Sequence, residues 1–127
     1  MSIKEIALQY IKFLENGEID NITNLFTETG KVTSPIYGIK LANEFYKELL
    51  NDTQNSRLKL KGIFEEENSK RIAISFNYKW TLKNNSHIEF DVVDIIEFNE
   101  NNKIIHLEII YDTVKSRALV KSLKNNE

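Results

Sequence analysis

Ile72-Ala73-Ile74-Ser75-Phe76-Asn77-Tyr78-Lys79-Trp80 alternates large apolar residues with small or polar ones. Ile88-Glu89-Phe90-Asp91-Val92-Val93-Asp94-Ile95-Ile96-Glu97-Phe98 does nearly the same. A period of two is the signature of a strand with one dry face and one wet face. Between the two runs, Asn84-Asn85-Ser86 supplies turn residues, so the pair predicts a long antiparallel hairpin. Ile72, Ile74, Phe76, Tyr78 and Trp80 belong to the inner face of the first strand. Ile88, Phe90, Val92, Asp94, Ile96 and Phe98 belong to that of the second.

Upstream, Leu58 and Leu60 alternate with Arg57, Lys59 and Lys61, which extends the sheet by a strand behind a polar linker, Asn51 to Ser56. Downstream, a loop at Asn99 to Asn102 leads to a last strand, Ile104 to Tyr111. Its outer face is read as Ile104 and Ile110 beside His106, Glu108 and Asp112, a mixed surface that suits either a dimer contact or plain exposure to water.

The N-terminal third has helical spacing instead. Ser2 and Glu5 form a capping-box pattern, followed by Ile6, Ala7, Tyr10, Phe13 and Leu14 and stopped by Gly17. A second helix is expected over Ile19 to Phe26. Gly30 then opens a short strand, Lys31 to Ser34, which Pro35 ends because it has no amide hydrogen to give a ladder. A third helix carries Leu41, Phe45, Tyr46, Leu49 and Leu50 on its inner side. Helices first and a meander afterwards predict a segregated α+β domain, not an alternating α/β one.

The 127 residues suffice for one domain, expected to span 1–127, with 113–127 as a basic C-terminal tail (Lys115, Arg117, Lys121, Lys124) forming a short exposed helix or a flexible end. A composition of 41% hydrophobic and 28% charged residues, with four Gly and one Pro, argues against disorder and supports a real core. Seventeen basic and nineteen acidic side chains are interspersed without a basic stripe, so no nucleic acid partner is expected. Without cysteine there is no disulfide, thiolate nucleophile or Cys-based metal site. The start, Met1-Ser2-Ile3-Lys4-Glu5, has no signal-peptide core, and no apolar run has membrane-spanning length. The expectation is a cytoplasmic protein with no membrane partner.

Asp94 does not suit its surroundings. Strand parity places it among Phe90, Val92, Ile96 and Phe98, where an ionised carboxylate would cost several kcal/mol unless paired, solvated or protonated. A protonated acid in an apolar pocket is a good hydrogen-bond donor. The competing reading is a β-bulge that turns it outward, or a bond to a buried amide. Tyr10 lies on the inner face of the first helix, where its hydroxyl needs a partner or a path to water. Together, an inward Tyr and an inward Asp could form a paired donor site for a developing oxyanion.

With these residues in view, the chain resembles the nuclear transport factor 2-like superfamily, particularly its SnoaL-like and ketosteroid-isomerase-like branches. The resemblance rests on Gln9-Tyr10, on Glu18-Ile19-Asp20-Asn21-Ile22 leading into Leu25-Phe26, and on Ser34-Pro35 with Gly38 nearby. It continues through Phe45-Tyr46, Asp94 to Asn99, Asn102-Lys103-Ile104-Ile105 and Tyr111-Asp112. It implies a cone, a curved antiparallel sheet wrapped around three N-terminal helices with an interior pocket, and homodimers in many members. It also implies that Tyr10 is similar to the isomerase's oxyanion-hole tyrosine, Asp94 to its protonated aspartate, and Tyr46 to a tyrosine supporting the first. Where the isomerase keeps its general-base aspartate, before a proline, this chain has Ser34. A hydroxyl cannot shuttle a proton between carbons as a carboxylate does.

The candidate catalytic residues are therefore Tyr10, Asp94 and Ser34, and the candidate pocket residues Tyr46, Phe76, Tyr78, Trp80, Phe90 and Leu107. Asp112 could be a base at the pocket mouth, but strand alternation points it outward, so it is read as a charge that ends the strand or bonds to the C-terminal segment. His87 and His106 are read as surface residues without a catalytic partner, and Glu65-Glu66-Glu67 as a solvated loop. No cofactor and no metal are expected, since there is neither a phosphate-binding glycine loop nor a ligand cluster. Three functions stay open. They are an enzyme that polarises a carbonyl of a small hydrophobic molecule, a non-catalytic binder of such a molecule, and a dimeric interaction scaffold.

Overall fold

The computed structural model describes residues 1–125. Helix α1 (Ile3–Asn16) begins at a reciprocal Ser2–Glu5 capping box and ends on Gly17 at φ 68°, the left-handed conformation that favours glycine. Helix α2 (Ile19–Thr23) stops three residues short of the expected Phe26. Phe26 instead opens strand β1 (Phe26–Ser34), where it pairs with Ile104, whose amide also donates to the Leu25 carbonyl at 2.9 Å. Partners far along the chain thus override a local helical spacing. Gly30 allows the close approach this requires, because a Cβ there would lie 2.9 Å from the Ile104 carbonyl oxygen.

A hairpin then adds a strand that was not foreseen, β2 (Gly38–Leu41), so that Leu41 caps helix α3 (Ala42–Asp52) in extended conformation rather than lying within it. Strand β3 (Thr53–Glu65) begins directly after the helix and absorbs most of the expected linker. Buried Ser56 shares a 2.8 Å hydrogen bond with the Tyr78 hydroxyl, which explains why a polar segment enters the sheet.

Strands β4 (Arg71–Leu82) and β5 (His87–Phe98) form the hairpin read from the sequence, with Asn85 at φ 69° in its turn. Strand β6 (Ile104–Ile110) follows, then helix α4 (Val114–Asn125). The sheet order is β2-β1-β6-β5-β4-β3, and every neighbouring pair is antiparallel except β1 with β6. The architecture is α+β, with a six-stranded, mostly antiparallel sheet packed against the N-terminal helices.

The inner sheet face closes on α1 and α3. Ile72, Ile74, Phe76 and Ile96 meet Ala7, Tyr10, Phe45 and Tyr46 in one continuous core, and each buried Ile or Phe contributes about 1.5–3 kcal/mol of apolar burial. Two expectations are corrected here. Ile104 is fully buried, not on the outer face, because register irregularities at the start of β6 put both Ile104 and Leu107 inside. The basic tail is a half-packed helix. Ser116, Val120 and Leu123 are buried at helical spacing, and the Asp112 carboxylate accepts the Val114 amide at its start. Among the described residues, no helix is long and apolar enough to cross a membrane.

Candidate functional site

Between α1, α3 and the inner sheet face lies a cavity of about 40 Å³, lined by fourteen residues of which eight are aromatic. Asp94 is the one carboxyl group among them. β5 holds it between Ile74 of β4 and Ile109 of β6, 1% exposed, so the backbone ladder enforces its burial. Its Oδ1 has no hydrogen-bond partner. Burial pushes the Asp94 carboxyl well above its ordinary 3.8, which favours the neutral acid. Such surroundings favour a hydrogen-bond donor over an anion at this position.

Tyr10, from α1, lines the same cavity, and its hydroxyl lies 2.7 Å from that of Tyr46 of α3. Both phenols are pushed well up, chiefly by burial, so both stay neutral. Tyr46 does not line the cavity. It sits behind Tyr10 and packs edge-on against Phe45, with ring centroids 4.8 Å apart. Leu107 also lies outside the lining, since it is fully buried and paired with Val32 and Ile96 in the core.

Phe76, Tyr78, Trp80 and Phe90 line the cavity, as does Ser34. The Ser34 Oγ accepts the amides of Ile36 at 3.3 Å and Tyr37 at 3.2 Å, which shapes the turn after β1. With its lone pairs engaged there, its remaining capability is to donate a proton, so it does not supply a base.

Two lining tyrosines stand outside the candidate pocket residues. Tyr111 stacks on Phe90, which stacks on Tyr78, with centroids 4.2 and 5.5 Å apart. The available signal was parity, because Tyr111 follows Leu107 and Ile109 on alternate positions. Tyr37 donates its hydroxyl to Asp52 at 2.8 Å, and the other oxygen of Asp52 accepts Lys124 of α4 at 2.9 Å. Asp52 is fully buried, which was foreshadowed by its helical spacing from Phe45 and Leu49. Burial and the Asp52 carboxylate together raise the Tyr37 phenol.

His87 and His106 stand outside the cavity, bonded to Thr81 at 3.1 Å and Thr33 at 2.8 Å. Among the described residues no group of His, Asp and Glu has the arrangement of a metal site.

No protein-family model matches the chain, and no curated protein matches it. Solved structures do. TerC, co-crystallised with polyporic acid, is 18% identical with a TM-score of 0.78, covering 94% of this chain and 98% of its own. An NTF2-like protein of unknown function from Burkholderia pseudomallei is 17% identical with a TM-score of 0.78 and the same coverage. SalBIII, described as an epoxide hydrolase/cyclase-like enzyme in pyran ring formation, is 16% identical with a TM-score of 0.76, covering 87% of this chain and 90% of its own. At these identities the likeness establishes a shared fold.

Proposed function

We propose that the cavity takes a small, mostly apolar molecule and holds it by one oxygen, to which Asp94 and Tyr10 donate hydrogen bonds. The observation that carries this reading is the buried Asp94 oxygen with no protein partner, facing an apolar cavity. A polar group left in that state costs about 1–3 kcal/mol, which a ligand oxygen would relieve. Where the bound oxygen gains negative charge, as a carbonyl does on enolisation or an epoxide on opening, the same two donors stabilise it. Polarisation of such an oxygen, as in isomerase- and cyclase-like chemistry, is the activity proposed. Ser34 offers no base, so any proton removed from carbon would go to water or to the substrate itself.

The test is titration of a fluorescent naphthol, a mimic of an enolate oxygen, into wild type, Asp94→Asn and Tyr10→Phe. Micromolar binding that weakens sharply in both variants supports the reading. Binding indifferent to both would sink it.

A second reading concerns assembly, and the outer sheet face favours it. Val93 lies beside Ile110 across the ladder, next to a row formed by Phe64, Ala73 and Ile95. Phe64 is 63% and Ile110 48% exposed. Flanking rows carry both charge signs, Arg71 with Glu97 and Lys79 with Glu89. Such a surface can complement itself about a two-fold axis, so a second copy of the chain is its proposed occupant.

A further inference from the structure

We infer that Tyr37 controls what enters the cavity, and that Lys124 of α4 is a positioning residue that fixes Tyr37 through Asp52. Most of the lining is buried, whereas Tyr37, Phe90, Ile109 and Tyr111 are only partly so and mark the mouth. Phe90 and Tyr111 brace each other face to face. Tyr37 instead projects from the Pro35–Tyr37 turn and is held at its far end by the Asp52 carboxylate.

That turn is tied down at three places, two of which depend on α4. Ser34 caps the Ile36 and Tyr37 amides from within. The Arg117 guanidinium donates to the Pro35 carbonyl at 2.7 Å, and Lys124 anchors the carboxylate that holds the Tyr37 hydroxyl. Asp52 is completely buried, while the Lys124 side chain is 36% exposed. Lys124 also reaches Glu48 Oε2 at 3.4 Å, and when it leaves for water Asp52, left with Tyr37 alone, is under-satisfied. Detaching α4 thus loosens Tyr37 and widens the mouth, and a docked α4 keeps the cavity at its closed size. The identity of the ligand rests on the function proposed above, but the latch itself does not.

Trp80 reads the latch without any ligand, being the single tryptophan, 3% exposed and part of the cavity wall. Acrylamide quenching of Trp80 is measured in wild type, Lys124→Met, Arg117→Gln and, as a control on the same helix, Lys121→Met. Amide hydrogen exchange is followed in parallel. The expected result is a quenching constant raised roughly tenfold in Lys124→Met, the loss of one charge-assisted hydrogen bond, with a smaller rise in Arg117→Gln and none in Lys121→Met. Exchange should quicken at residues 36–37 and 114–125 and not in β4 or β5. On a Tyr37→Ala background, where the ring is gone, Lys124→Met should add nothing, an outcome that loss of general stability would not give.

Unchanged quenching in both latch variants overturns the inference. So does quenching that rises only together with exchange in β4 and β5, which reports global loosening. If naphthol fails to bind wild type, the proposed ligand chemistry falls, and the quenching arm still decides the latch.

Discussion

The hydroxyls of Tyr10 and Tyr46 sit 2.7 Å apart in the core, and only Tyr10 faces the cavity. One phenol must donate to the other, leaving a single free proton between them. If Tyr10 donated, that proton would belong to Tyr46 and be stranded among Phe26 and Phe45. If Tyr46 donates, the free proton is on Tyr10 and points where a ligand can take it. The second arrangement wastes no donor. Tyr46→Phe should therefore cost about 1–2 kcal/mol of stability and also weaken naphthol binding several-fold, although Tyr46 never touches the ligand. Tyr10→Phe should weaken binding more, and a double-mutant cycle in chemical denaturation should show coupling between the two sites.

Asp94 gives stability a pH dependence of unusual sign. Its folded carboxyl titrates well above the ordinary 3.8, so above that pH the unfolded chain loses a proton that the folded chain keeps. Its contribution is complete in acid and is lost as pH rises toward the folded value, at about 1.4 kcal/mol per pH unit. Asp94→Asn is neutral throughout and has no such slope. Urea melts at a series of pH values should show the variant gaining on wild type as pH rises from the acid side. Parallel curves would mean that Asp94 ionises freely in the folded state.

These two residues were legible early because strand and helix periods alone place Asp94 and Tyr10 inside. β4 and β5 were legible for the same reason, each with a partner on both sides that keeps the alternation regular. Local pattern misleads where tertiary partners overrule it. Phe26 has helical spacing from Ile22 yet pairs with Ile104, and Gly38–Leu41 is too short to announce a strand without β1 beside it. Register irregularity at β6 inverted the reading of Ile104. Asp52 and Lys124 are seventy-two residues apart, and no spacing rule brings them together.

The outer face yields a prediction that is independent of the cavity. Val93→Glu with Ile110→Glu places like charges directly opposite each other on one ladder and on the proposed contact. Sedimentation velocity should find wild type as a dimer and this variant as a monomer with unchanged naphthol affinity. A monomeric wild type would leave Phe64 and its neighbours as plain exposed surface.

Ser34 offers the most demanding test, since it asks whether a missing group is all that separates this cavity from proton transfer at carbon. The position is suitable for a base because it lines the cavity and its side-chain oxygen already receives two backbone amides. In Ser34→Asp those amides would bond a carboxylate, and amide bonds favour the charged form, so the new group would be ionised at neutral pH. It would share the cavity with Asp94, whose burial favours the protonated form, so two like residues in different surroundings would act as one base and one acid. Cyclopentanone in deuterium oxide supplies the readout, because removal of an α-proton appears as deuterium incorporation by NMR. Wild type should show only solvent-rate exchange. Ser34→Asp should exceed it by roughly 100-fold or more, the usual contribution of a positioned base, and adding Asp94→Asn should remove most of the gain. Exchange in Ser34→Asp that ignores Asp94 would separate the acid from the cavity's chemistry and return it to a structural role.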